Sequence, residues 1–185
     1  MSGKKVGVFG IYSSRAGVEN GVDALVRAGF PSPDISVLLP ESVAGTKEMG
    51  TEKATKAPEG AAAGVTTGGV IGGTLGVLAG IGLLAIPGLG PFIAAGPIMA
   101  GLAGLGVGGA VGGATGALIG AGIPEFEAKR YEGRLQKGGI LLSVHCDTSE
   151  EIKRAKDVLK ATGAEDVTST GEASVDRDAK AARTT

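Results

Sequence analysis

Tryptophan is absent from this 185-residue chain, and two tyrosines and four phenylalanines are its only large aromatic residues. A core built on big rings is therefore excluded. One cysteine, Cys146, allows no internal disulfide, which fits a reducing compartment. The one histidine, His145, precedes it directly, and neighbours on a strand point to opposite faces, so the two do not share a metal. Cys146 is expected as a small core residue and His145 on the outward face beside Ser143. A net charge of -1 and a pI of about 5.9 provide no basic field for nucleic acid. No Ser-His-Asp set or paired-acid arrangement stands out, so no enzyme and no cofactor are expected. The N-terminal apolar run is too short for a signal peptide and lacks a cleavage site.

Charge is missing altogether from residues 60–124, between Glu59 and Glu125. Glycine takes its place: 22 of the 35 glycines lie between Gly60 and Gly122. They fall into two rows with a spacing of four, Gly64, Gly68, Gly72, Gly76, Gly80 and then Gly104, Gly108, Gly112, Gly116, Gly120. "GLGVGG" within the second row matches a dinucleotide fingerprint but follows no strand, and is set aside.

The flanking parts have ordinary α+β patterning. "KVGVFGIY" reads as a strand, and Val18, Val22, Leu25 and Val26 then form one helical stripe, capped by Ser13 or Ser14 and ended by Gly29. "DISVLLP" alternates Ile35, Val37 and Leu39. The C-terminal part repeats the order. A strand places Ile140, Leu142, Val144 and Cys146 on one face, and a helix opens with the capping box Thr148–Glu151 and turns Ile152, Val158 and Leu159 inward. Gly163 ends that helix and "EDVTSTGE" is the last strand. Two βαβ units predict a ferredoxin-like α+β fold, residues 1–40 forming the first half and 139–172 the second. Residues 41–59 read as a linker and 173–185 as a loose tail.

The glycine-rich segment, residues 60–123, falls between the second and third strands, which are antiparallel neighbours in such a sheet. It parses as a helix Gly60–Ala85, a break marked by Pro87, Gly88, Gly90, Pro91 and Pro97, and a helix Pro97–Gly122. About 25 residues per arm give roughly 38 Å, enough for a hydrocarbon core of ~30 Å. The expectation is thus a transmembrane hairpin in the lipid bilayer of the cytoplasmic (inner) membrane. Glycine rows would let its helices pack closely and drive homo-oligomerisation. Lys53, Lys56, Lys129 and Arg130, with Arg134 and Lys137, would flank it on the cytoplasmic side, where the folded domain lies. Residues 124–138 would form a juxtamembrane helix carrying Phe126 and Leu135. The competing expectation is a soluble self-assembling scaffold or shell that buries its hairpins in one another. An accessory subunit of a membrane complex is a third.

The blocks "VFGIY", "GVDALVRAGF" and "DISVLLPE", then "APEGAAAGVTTGGVIGG" and "GIPEFEAKRYEGRLQKGGILLSVHCD", resemble the bacterial general-stress-protein family (17M-like, heat-induced) from about residue 4 to 172. The resemblance implies a stress-associated role and no particular reaction. A similar topology, a small α/β domain with a two-helix membrane insert, occurs in a subunit of bacterial quinol-oxidising complexes.

Overall fold

The computed structural model describes residues 5–44, 82–86, 88–99 and 113–171. Strand β1 (Val6–Tyr12) leads into helix α1 (Arg15–Arg27), whose start is capped by Ser14 accepting from the Gly17 N–H. Val18, Val22 and Leu25 are buried as their spacing predicts. Val26, at the margin of the stripe, is 43% exposed instead. The helix closes where the Gly29 and Phe30 amides donate to Val26 and Leu25. A 3-10 turn (Ser32–Asp34) leads to β2 (Ile35–Pro40), followed by the short α2 (Glu41–Ala44). Strand β5 (Ile140–Cys146), helix α5 (Ser149–Ala161) and strand β6 (Glu165–Gly171) repeat the pattern. The capping box forms as expected: Thr148 accepts from the Glu151 amide, and the Glu151 carboxylate accepts from the Thr148 amide.

The fold is α+β, with one antiparallel sheet in the order β3 (Gly82–Ile86), β4 (Gly90–Ala95), β2, β5, β1, β6. β1 and β2 both run antiparallel to β5, while β6 pairs with the other edge of β1. Each βαβ unit therefore holds its two strands parallel with a strand of the other unit between them. Helices α1 and α5 cover one face, burying Val8, Val22, Leu25, Val37, Leu142, Val144 and Cys146. Cys146 is a core residue, as its place in the alternation predicts.

The glycine-rich segment departs from expectation. Where one unbroken helix is predicted up to Ala85, the chain forms β3 (Gly82–Ile86), and β4 (Gly90–Ala95) occupies the predicted break. The two are antiparallel partners, Leu84 opposite Phe92, and β4 pairs with β2, Leu39 opposite Ile93. The physical cause is the free edge of β2, whose backbone donors and acceptors need partners. Phe92 and Ala94 bury on one sheet face and Ile93 and Ala95 on the other, the two-residue period of a strand. The turn between them holds Gly88 at φ 83 and Gly90 at φ 93, and the Leu89 amide donates to Ile86 at 3.0 Å.

The second predicted arm is also cut short. Gly113 at φ 97 precedes α3 (Ala114–Gly120), which has seven residues. Seven residues rise about 10 Å, a third of a bilayer core of ~30 Å. Among the described residues no helix is long and apolar enough to cross a membrane. The transmembrane hairpin, and with it the inner-membrane location, are thereby overturned.

Helix α4 (Glu125–Leu135) corrects the juxtamembrane expectation as well. With α3 it lies on the second face of the sheet, where Ala117, Leu118, Ala128, Tyr131 and Leu135 pack against Phe9, Ile11, Leu38 and Leu141. The Thr115 hydroxyl bonds to the Glu132 carboxylate and ties the two helices together. Ser143, expected on an outward face, is consequently buried, and β1, β2 and β5 are sandwiched between two apolar layers.

Candidate functional site: a charged cleft at the bulged end of β6

The residues singled out in the sequence are scattered by the fold. Gly116 and Gly120 lie on α3, Gly88 in the β3–β4 turn, Gly90 and Pro91 at the start of β4, and Pro97 opens a helical turn at 97–99. Gly64, Gly68, Gly72, Gly76, Gly80, Gly104, Gly108, Gly112, Pro87, Lys53 and Lys56 lie outside the described residues. The basic residues of α4 do not line a membrane surface. Lys129 pairs with Glu125 at 2.6 Å, and Arg130 pairs with Asp166 at 2.8 Å while standing 5.0 Å above the Phe126 ring. Arg134 meets Glu165 at 2.5 Å and Asp166 at 3.5 Å. Arg130 and Arg134 serve the seam between α4 and β6, whereas the Lys129 pair stays within α4.

That seam opens into a cleft of about 90 Å³. Three stretches build it. The end of β1 supplies Ile11, Tyr12 and Ser13; the end of α4 and the turn after it supply Arg134, Lys137 and Gly139; the start of β6 supplies Glu165. Helix α4 stops through the Gly138 and Gly139 amides, which donate to Leu135 and Arg134 at 3.0 Å each. Gly139 passes so close to the helix end that a Cβ there would lie 2.8 Å from the Arg134 carbonyl oxygen. Only glycine brings the turn in tightly enough to hold Arg134 and Lys137 beside β1.

A β-bulge sets the opposite wall. Phe9 faces Thr168 and Ile11 faces Glu165, so two β6 residues lie against the single Gly10. Bulges re-aim side chains and are frequent beside functional sites. Asp166 takes the left-handed conformation at φ 51, and is the one non-glycine residue with positive φ among those described. Three groups of α4 hold it: Arg130 and Arg134 on its carboxylate, and the Tyr131 hydroxyl, which donates to its carbonyl at 2.5 Å. Its Oδ2 is buried with no hydrogen-bond partner among the described residues. Such an outlier held in place by its surroundings is a pointer to function. Below, Glu127 accepts from Thr168 at 2.9 Å.

Charged and hydroxyl groups line the cleft together with the apolar side chain of Ile11. Burial pushes the Tyr131 phenol far above its ordinary range, helped by the Glu127 and Asp166 charges. The Tyr12 phenol is raised too, by burial against the opposing hydrogen bond to Thr162 at 2.7 Å. Both therefore stay protonated donors at neutral pH. The lining offers cation, carboxylate and hydroxyl within one small space.

Nothing in the sequence singles out Glu165, Asp166 or Gly139. Arg134 and Lys137 stand out only as basic residues beside an uncharged run, and the partner of Arg134 lies some thirty positions on, reached through the sheet. No family model, no curated protein and no solved structure matches this chain.

Proposed function

We propose that this protein is a non-enzymatic, self-assembling scaffold, stress-associated as its sequence blocks suggest, whose glycine-rich insert packs against other copies of the chain. Its core is ferredoxin-like: the order β2-β5-β1-β6, with both crossing helices on one face, supports that assignment. The insert departs from β2 and returns to β5, adding β3 and β4 to the sheet on the way.

The observation that carries the proposal is the end of the sheet. Strand β3, "GLLAI", is its last strand among the described residues and pairs there with β4 alone. It carries neither charge nor proline, the usual devices that keep a sheet edge from joining another chain. The row Gly64–Gly80 leads directly into it. Glycine at every fourth position is the spacing at which helix backbones come close enough for extensive dispersion contact.

Light scattering coupled to size exclusion tests this on the full chain. The wild-type protein should be a defined oligomer, and Gly72→Leu with Gly112→Leu should reduce its size. Val70→Leu with Val111→Leu, off the glycine rows, should leave it unchanged. A monomeric wild type, or an unaltered oligomer in the double glycine variant, would overturn the proposal.

A further inference from the structure

We infer that strand β3 pairs antiparallel with β3 of a second copy about a two-fold axis at Leu84, joining two six-stranded sheets into one. This join rests on the self-assembly proposed above and supplies the surface on which two copies meet.

Among the described residues the sheet ends in β3 on one side and β6 on the other, and the two ends are built differently. β6 opens on Glu165 and Asp166 and is bulged opposite Gly10. Charge and bulges are what keep an edge from extending into another chain. β3 has neither: it runs in unbroken register against β4 from Gly82 to Ile86. The whole span 60–124 is uncharged, so no like charges meet when two copies of it come together. What such an edge offers is a row of backbone donors and acceptors, so its occupant is an extended strand. A second β3 brings the same row in the same uncharged surroundings.

The turn fixes which groups face outward. The Ile86 carbonyl points to the β4 side, where it accepts from the Leu89 amide at 3.0 Å. Backbone groups alternate along an antiparallel strand, so those of Gly82 and Leu84 also face β4, while those of Leu83 and Ala85 face the free edge. A two-fold axis at Leu84 sets Leu83 of each copy opposite Ala85 of the other, and both pairs exchange N–H···O bonds in each direction. An axis at Leu83 or Ala85 would bring in residue 81 or Pro87, beyond the ends of the strand, and proline has no amide to give. The axis at Leu84 alone uses every outward group of the strand.

The pairing closes on itself. Once it forms, neither β3 has an unpaired edge, and the bulged β6 strands become the outer edges of the joined sheet.

Disulfide trapping in the full chain tests the join. Leu84→Cys should form a covalent dimer under mild oxidation, because opposite residues that exchange no hydrogen bond stand about 4.5 Å apart at Cα. Leu83→Cys and Ala85→Cys should each stay unlinked alone, at about 7–8 Å from their own counterparts, and should link to one another when the two are mixed. Native Cys146 is buried and does not compete. Ala85→Pro, which removes an amide used only at the join, should shrink the assembly by light scattering. An unlinked Leu84→Cys, or no link between the mixed Leu83→Cys and Ala85→Cys variants, would overturn the join; cover of β3 by its own chain would give that result. If Gly72→Leu with Gly112→Leu shrinks the oligomer while Leu84→Cys stays unlinked, self-assembly holds and the join alone falls. An oligomer that the glycine substitutions leave unaltered but that links at Leu84 removes the glycine rows and keeps the join. A monomeric wild type overturns both.

Discussion

The phenol of Tyr131 donates to the backbone carbonyl of Asp166 across 2.5 Å, joining the middle of α4 to the one left-handed non-glycine residue described. Tyr131 is 1% exposed, so removing its hydroxyl leaves the carbonyl without its buried donor. Tyr131→Phe should cost about 1–3 kcal/mol of unfolding free energy. Urea denaturation measures this as a lower midpoint at unchanged slope.

Alkaline pH should expose the same residue. The Tyr131 and Tyr12 phenols are both raised in the folded state, chiefly by burial. In the unfolded chain they ionise near pH ~10. Above that the unfolded state gains from ionisation and the folded state does not, so stability is full below about pH 10 and is lost as pH rises further. Tyr131→Phe should flatten that decline. An equal alkaline slope in the variant would contradict the assignment.

Acid acts through a different group. The Glu151 carboxyl lies below its usual range, chiefly because it accepts from the Asp147 backbone amide, with further help from the Thr148 amide and hydroxyl and from Arg154. A depressed folded value contributes stability above the ordinary carboxylate range, and that contribution is lost as pH falls through the folded value. Glu151→Gln should shrink the difference in urea midpoint between neutral and acid solution. Thr148→Ala, which removes the cap itself, should cost about 1 kcal/mol at neutral pH.

The second apolar layer should matter as much as the first. Phe9 is fully buried beneath α3 and α4, and Leu25, on α1, is fully buried in the opposite layer. Phe9→Ala should cost about 3–5 kcal/mol and Leu25→Ala about 2–5 kcal/mol. If Phe9→Ala unfolded as the wild type does, α3 and α4 would not be integral to the fold.

Gly96 tests how β4 is anchored. It sits at φ 90 immediately after the strand, and a Cβ there would collide with the Ile35 carbonyl and come within 2.6 Å of Ser36 Cα. The adjacent Ile98 amide donates to the Ser36 hydroxyl at 3.0 Å. Gly96→Ala should destabilise by at least about 2 kcal/mol through strain at this crossing. Limited proteolysis should then cut first in the insert, with β1, α1 and β5 still protected.

Local rules alone determined the two βαβ units. Ser14 and the Thr148–Glu151 box mark helix starts because a side chain two or three residues away satisfies an orphan amide. The alternation of Ile140, Leu142, Val144 and Cys146 names the face that α1 and α5 cover, since neighbouring strand residues point opposite ways. The insert was decided otherwise. "GLLAI" and "PFIAA" carry too little periodicity to choose helix or strand by themselves, and the exposed edge of β2 chose for them. The polar residues of α4 read as a surface helix, yet Ala128, Tyr131 and Leu135 share a narrow stripe that only the sheet's second face could bury. The cleft depends on distance in the chain most of all. Arg134 and Glu165 are joined by strand order and by a bulge opposite Gly10, and neither leaves a mark in the local sequence. Short-range hydrogen bonds and side-chain period act within a few residues and can be read there, whereas edge pairing, the second layer and the bulge exist only once distant segments compete for the same surface.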